Sequence, residues 1–306
     1  MAKCGTPEYT NFVSDFVTTF AKDSQPTVKI ARKFCETWPR PTSTAMANDT
    51  VRVAVMDSSF NPPHYCHGAF MECLGTMQLT VEGQRLQEGQ ACALEIDAFL
   101  LLLGSQNADK PMLGATLAQR LRMVDMLATT IAVDSLSDTW HVWNTCDQFE
   151  ASNLHNMAIG MVNAPRFIDK CEAVRNAVLQ ELPSSGKQPQ VLCYFAMGWD
   201  TLIRFFDPKY YGPDYPTEIG RFFDGGGRIA YARRNGVSDV DIEEFFAAPY
   251  LAPYLLCIYE LELPMCVKHI SSTGIRQAVC ESSQGVCDIP PRIRQYVNST
   301  QLYRGN

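Results

Sequence analysis

The chain predicts an α/β fold built on a doubly wound parallel sheet. Three observations predict it. Short apolar runs alternate with stretches of helical periodicity, which implies parallel strands joined by crossover helices. Several of these runs stop abruptly at polar segments of Ser, Gly, Asn or Asp, and such a sheet binds ligands beyond the carboxyl ends of its strands. The length of 306 residues, 46% of them apolar, is enough for a sizeable buried core.

Residues 1–50 read as a helical extension and linker, and residues 51–306 as the main domain. In the extension, Phe12, Phe16 and Phe20 recur at helical spacing beside Val13 and Val17. The segment from Trp38 to Asp49 is rich in Pro, Thr, Ser and Ala and reads as the linker. The first clear strand runs from Val51 to Met56. A helix follows near His67, with Phe70, Met71 and Leu74 on its apolar side. Ala98 to Leu103 is a buried strand. Ala115 to Thr129 is an amphipathic helix that gathers Leu117, Leu121, Val124 and Leu127 toward one face. Phe167 to Leu182 is a further helix, and Val191 to Ala196 a second buried strand. Arg228 to Ala232 and Leu255 to Leu261 are strand candidates, with a helix near Asp239 to Phe246 between them. No internal repeat is evident.

The formal net charge of −7 argues against nucleic acid as the main partner, although it leaves nucleotides open. The twelve cysteines form no CxxC pair and no Cys/His cluster at zinc-finger spacing. No basic-then-apolar leader and no run of membrane-spanning length is present. The cysteines therefore read as reduced core fillers of a cytoplasmic or nuclear protein without a membrane partner.

Three segments carry candidate chemistry, each just beyond a strand or strand candidate. After the first strand comes Asp57-Ser58-Ser59-Phe60-Asn61-Pro62-Pro63-His64-Tyr65-Cys66-His67. Two histidines three apart at a helix N-terminus face one anion, aided by backbone N–H groups and the helix dipole. A pair of capping or solvent-facing histidines is the plain alternative, and a zinc site a third. After Val191 to Ala196 comes Met197-Gly198-Trp199-Asp200. Gly198 gives a ligand room to approach, and Asp200 suits ribose hydroxyls or, more plainly, a helix N-cap. After the last strand candidate comes Ile270-Ser271-Ser272-Thr273-Gly274-Ile275-Arg276. Its hydroxyls sit at a helix start, with Arg276 one turn on to fork a phosphate; an ordinary cap with a solvated Arg is the alternative. Arg233 and Arg234 follow a strand candidate and reach either phosphate or solvent. The Gly225-Gly226-Gly227 run lacks the Lys-Ser/Thr of a P-loop and reads as a plain loop.

SSFNPPHYCH resembles the GSFNPxHxGH signature of the nicotinamide/nicotinate mononucleotide adenylyltransferases. GWD resembles their GxD segment, SSTGIR their SxTxIR segment, and Arg120-Leu121-Arg122-Met123 their helical RxxM stretch. The similarity runs from about Val51 to Arg294, in the family's order, and looks closest to a divergent fungal branch. It implies a Rossmann-like fold of the nucleotidyltransferase type. It also implies Mg²⁺ as cofactor, ATP as one substrate and nicotinamide mononucleotide as the acceptor. By matching position, Ser59, Phe60 and Asn61 line the first loop, and His64 and His67 contact the triphosphate. Gly198 and Asp200 hold ribose, while Ser271, Thr273 and Arg276 bind the β- and γ-phosphates. The catalytic set is then His64, His67 and Arg276, with no residue assigned as a metal ligand. Trp140 and Trp143 fall in the middle of the chain, where the family tends to place aromatic rings near nicotinamide; packing in the core is the alternative for each.

Two glycines of the signature are replaced, by Ser58 and by Cys66. Cys66 is either a partly exposed thiol that ATP shields or an inert filler of the glycine space. Rival expectations are nicotinic acid mononucleotide or phosphopantetheine as acceptor, or a regulator that binds or hydrolyses ATP. Class I aminoacyl-tRNA synthetases share a related loop, but this acidic chain lacks a KMSKS-like segment.

Overall fold

Thr6 starts the first helix. Its side-chain oxygen accepts from the Tyr9 N–H at 3.3 Å, and Pro7 occupies the first turn. In this computed structural model, residues 6–41, 49–76, 95–106, 114–132, 154–183, 188–233, 236–281 and 287–304 are described. Helix α1 spans Pro7–Phe20 and buries Tyr9, Val13 and Phe20, leaving Phe12 exposed.

The chain then alternates as expected. Strand β1 (Val28–Lys33) and β2 (Thr50–Ser58) precede α2 (Tyr65–Thr76), β3 (Ala98–Gly104) and α3 (Leu117–Ala132). Next come β4 (Met157–Val162), α4 (Phe167–Glu181), β5 (Gln190–Gly198), α5 (Trp199–Phe205) and α6 (Tyr215–Asp224). The remainder is β6 (Gly227–Ala232), α7 (Asp239–Phe246), β7 (Ile258–Leu261), α8 (Ser272–Glu281) and α9 (Pro291–Ser299).

Among the described residues, seven strands form one sheet in the order β1-β4-β3-β2-β5-β6-β7. All neighbours are parallel except β1, which runs antiparallel to β4 at one edge. Strand β2 carries β3 on one side and β5 on the other. The progression of the sheet therefore reverses at β2, and the crevice beyond its carboxyl end is the switch point where such sheets take ligands. The fold is a Rossmann-like α/β sheet with helices on both faces. One face packs α1, α2, α3, α8 and α9; the other packs α4, α5, α6 and α7.

The N-terminal helix is tied into this body through Asp125 of α3, which is fully buried. The Tyr9 hydroxyl donates to its Oδ2 at 2.5 Å, and Arg32 of β1 donates to its Oδ1 at 2.6 Å. Strand β1 escapes the sequence pattern because Lys29, Arg32 and Lys33 interrupt its apolar residues, as is common at a sheet edge. Trp38, at the start of the expected linker, is buried against β3 and donates from Nε1 to the Phe99 carbonyl at 3.2 Å. The strand expected from Leu255 begins only at Ile258. Pro249–Cys257 is a 3₁₀ run, and Pro253 has no N–H to give a ladder. The Gly225-Gly226-Gly227 run is the α6–β6 turn at the opposite end of the sheet from the switch-point edge. Gly226 has φ +93°, and a Cβ there would stand 2.4 Å from the Val191 carbonyl oxygen, so packing explains the glycine. No helix among the described residues is long and apolar enough to cross a membrane.

Candidate functional site

Strand β2 delivers Ser58 and Ser59 to the switch-point edge, and the loop beyond it is held from below. Phe60 adopts φ +44°, an uncommon conformation for a bulky residue. Its fully buried ring offsets the strain by anchoring the turn in the core and lying 4.8 Å from the His67 ring. Asn61 braces the loop from the other side. Its Oδ1 accepts from the Ala115 N–H at 3.3 Å and from the Tyr303 hydroxyl at 2.8 Å. Burial pushes the Tyr303 phenol above its ordinary range, so it stays a donor.

His64 and His67 are both buried, and their rings stack with centroids 3.8 Å apart. The His67 Nδ1 accepts from the His64 backbone N–H at 3.1 Å, a cap-like contact at the start of α2. Its Nε2 lies 3.2 Å from Ser58 Oγ. The solvent-facing alternative is therefore overturned, while the capping alternative holds for one ring nitrogen of His67. Among the described residues no group of three or more His, Cys, Asp or Glu is placed to hold a metal ion.

The SSTGIR segment docks on the same loop. Ser272 Oγ donates to the Pro62 carbonyl at 2.8 Å, and Arg276 Nη1 donates to the Asn61 carbonyl at 2.7 Å. Arg276 Nη2 also reaches Thr273 Oγ1 at 3.2 Å, and Ser271 Oγ accepts from the Gly274 N–H at 3.1 Å as the cap of α8. Ser271 is thus a cap, as the plain alternative had it, but Arg276 is turned inward rather than solvated. Arg120 lies buried behind the loop with Nε donating to the Ala115 carbonyl at 2.7 Å. Burial lowers its guanidinium from the ordinary value, and nearby Arg276 acts in the same direction against the opposing effect of Tyr303. Two helix starts and a guanidinium thus meet at one loop, an arrangement suited to an anion.

Gly198 and Asp200 lie at the same edge of the sheet, beyond β5. Gly198 is the N-cap of α5 and Asp200 its second residue, so Asp200 is not the cap, and it remains exposed. Trp199 between them is buried against Tyr231, Phe245 and Phe246 and fixes the turn. Arg233 is occupied by Glu260 and Asp239, so its fork is not turned to a phosphate. Trp140, Trp143 and Arg234 lie outside the described residues.

The chain is similar to a protein of known name. Over 161 residues it is 30% identical to a Schizosaccharomyces pombe protein named "Putative nicotinamide mononucleotide adenylyltransferase". The matched stretch is 52% of this chain and 44% of that relative, so the chain spans less than half the relative's length. No family model matches the chain.

A second feature escaped the motif reading. A cavity of about 280 Å³ opens on the other face of the sheet, lined by Asp57, Ser58, Ser59, Gly104, Phe167, Lys170, Arg204 and Tyr211 among others. Lys170 of α4 and Asp57 of β2 form a buried ion pair at 2.5 Å beside it. Both residues carried a signal: Asp57 is the one acidic residue of a largely apolar strand, and Lys170 is the one charge among the buried positions of its helix. Arg204 Nε donates to the Asp200 carbonyl at 3.0 Å, linking this wall to the GWD turn. Ser58 and Ser59 therefore border the cavity on one side and the histidine loop on the other.

Of the two readings of Cys66, the buried filler is the one the structure supports. Cys66 is the second residue of α2 and is buried in the core cluster on that face of the sheet. Cys73, about two turns further along the same helix face, is pushed up to about 12 by burial first, with Glu72 and Cys66 adding to it. Brief alkylation is expected to label the exposed Cys266, Cys280 and Cys287 and to spare Cys66, with or without Mg-ATP. Mass spectrometry that finds Cys66 modified early, and protected by nucleotide, would reverse this assignment.

Proposed function

We propose that the chain is a nicotinamide mononucleotide adenylyltransferase, forming NAD and pyrophosphate from Mg-ATP and nicotinamide mononucleotide. One observation carries this reading. The SSFNPPHYCH loop and the SSTGIR helix start dock on each other at the switch point through Ser272 and Arg276, across 210 and 215 residues of chain. The similarity to the fission-yeast protein of that name supports it, and the resemblance to a divergent fungal branch belongs to the same reading. The motif-bearing segments all lie in residues 51–306, and residues 1–50 contribute α1 and the edge strand β1 to the same body. Its setting would be the cytoplasm or nucleus.

In this reading an oxygen of the acceptor phosphate attacks the α-phosphorus of ATP. A new P–O bond forms, the bond to the α–β bridging oxygen breaks, and pyrophosphate leaves with that oxygen. The protein needs no nucleophile of its own; it aligns the two phosphates and stabilises the charge that moves onto pyrophosphate. His64, His67 and Arg276 serve that charge. Ser59, Phe60, Asn61, Ser271 and Thr273 shape the ATP loop, and Gly198 and Asp200 hold ribose. Mg²⁺ would be held largely through the substrate phosphates, and it would supply positive charge to the developing pyrophosphate. The acceptor lies in the cavity beside Asp57 and Lys170, with Trp140 and Trp143 as candidate ring contacts.

The test is purified protein with Mg-ATP and each of nicotinamide mononucleotide, nicotinic acid mononucleotide and phosphopantetheine, followed by chromatography of dinucleotide and pyrophosphate. NAD with stoichiometric pyrophosphate is the expected result. A dinucleotide from another acceptor alone would replace the substrate. Free phosphate with no dinucleotide from any acceptor would replace the transferase by an ATP-hydrolysing regulator.

A further inference from the structure

Ser58 stands where the family signature has glycine, and its hydroxyl occupies the junction between the histidine loop and the cavity. Its hydrogen bonds determine where its proton goes. The His64 backbone N–H can only donate, and it donates to Nδ1 of His67. The neutral His67 ring must then carry its proton on Nε2. That nitrogen lies 3.2 Å from Ser58 Oγ, so the ring donates to the hydroxyl. The Phe60 backbone N–H also donates to Ser58 Oγ, at 3.4 Å. Two incoming donors use both lone pairs of the oxygen, and the hydroxyl's own proton is directed elsewhere. Among the described residues no acceptor for it is found, and Ser58 lines the cavity.

We propose that Ser58 is a ligand-contacting donor whose hydroxyl proton is given to a phosphoryl oxygen at the mouth of the cavity, and that His67 acts on that oxygen through Ser58. The glycine of the family signature has no hydroxyl to do this, so the contact belongs to this chain. The inference rests on the adenylyltransferase reading only for the identity of the phosphate. That oxygen comes either from the nucleotide's polyphosphate or from the acceptor's monophosphate. No covalent change at Ser58 is involved.

Calorimetric titration of the full chain with inorganic tripolyphosphate, and separately with nicotinamide mononucleotide, distinguishes the two sources. Ser58→Ala and Ser58→Gly are expected to weaken one of these probes by roughly ten- to hundredfold, the size of a hydrogen bond to a charged group. Ser58→Thr, which keeps the hydroxyl, is expected to bind as the parent does, with all variants melting cooperatively. Unchanged affinity of Ser58→Ala for both probes overturns the proposal. So does equal weakening in Ser58→Thr, because the hydroxyl would then not be the cause. Should Ser58→Ala not fold, the Gly and Thr pair carries the same comparison. Binding that depends on Ser58 in a protein that makes no dinucleotide would uphold this inference and reject the function. Undiminished dinucleotide synthesis by Ser58→Ala would do the reverse.

Discussion

His67→Ala is expected to lower turnover ~100-fold or more, because losing one preorganised group that stabilises transition-state charge typically costs a few kcal/mol of barrier. The imidazole is held on three sides: by the His64 N–H, by Ser58 Oγ, and by stacking on the His64 ring. A side chain so constrained pays little to reorganise during reaction. It is also buried, so the substitution leaves the His64 N–H without its ring partner and a cavity under Phe60. Stability should fall by about 1–3 kcal/mol, the usual cost of stranding a buried polar group. His67→Gln separates the two effects, since an amide oxygen can still accept at the helix start. Steady-state kinetics on folded protein decide the matter. Turnover of His67→Ala at the parental rate would reduce the histidine pair to a helix cap.

Lys170→Ala is expected to cost about 3–5 kcal/mol of stability, the range for removing one partner of a buried ion pair. Lys170 and Asp57 are each more than nine-tenths buried, and their contact joins α4 to the carboxyl end of β2. Removing the ammonium leaves the Asp57 carboxylate in a poorly solvated wall, where its Oδ1 already has no hydrogen-bond partner among the described residues. The double variant Asp57→Asn/Lys170→Met removes both charges and should recover most of the loss. Urea denaturation of the three proteins at neutral pH measures this directly. A loss below about 1 kcal/mol for Lys170→Ala would place the pair among solvent-screened surface bridges.

Most of the sheet could be read from local pattern because its central strands are buried on both faces. Ala98 to Leu103 and Val191 to Ala196 are nearly unbroken apolar runs, and both are strands over those residues. Strand β1 was not legible, since an edge strand shows charge where a central one shows only apolar residues. Strand β4 is short, and a Cβ at its Gly160 would stand 2.9 Å from the Lys29 carbonyl oxygen; that close approach is a tertiary requirement. Within the site, residue types and spacing pointed to the histidine loop, the GWD turn and the SSTGIR helix start. They did not reveal that Arg276 turns onto the Asn61 carbonyl, or that Cys66 is core.

What the sequence alone determined is therefore the alternation of strands and helices and the polar segments that end β2 and β5 and open α8. These follow from backbone geometry and burial over a few residues, where composition and period are sufficient. Only the tertiary structure decided which strands are neighbours, that the progression reverses at β2, and that a cavity adjoins the loop on the opposite face. It also decided the pairing of Asp57 with Lys170, 113 residues apart, and the contact between Ser58 Oγ and His67 Nε2. The physical reason is range. A hydrogen bond or ion pair between distant segments depends on distances of a few tenths of an ångström, set by packing, and no local period encodes that.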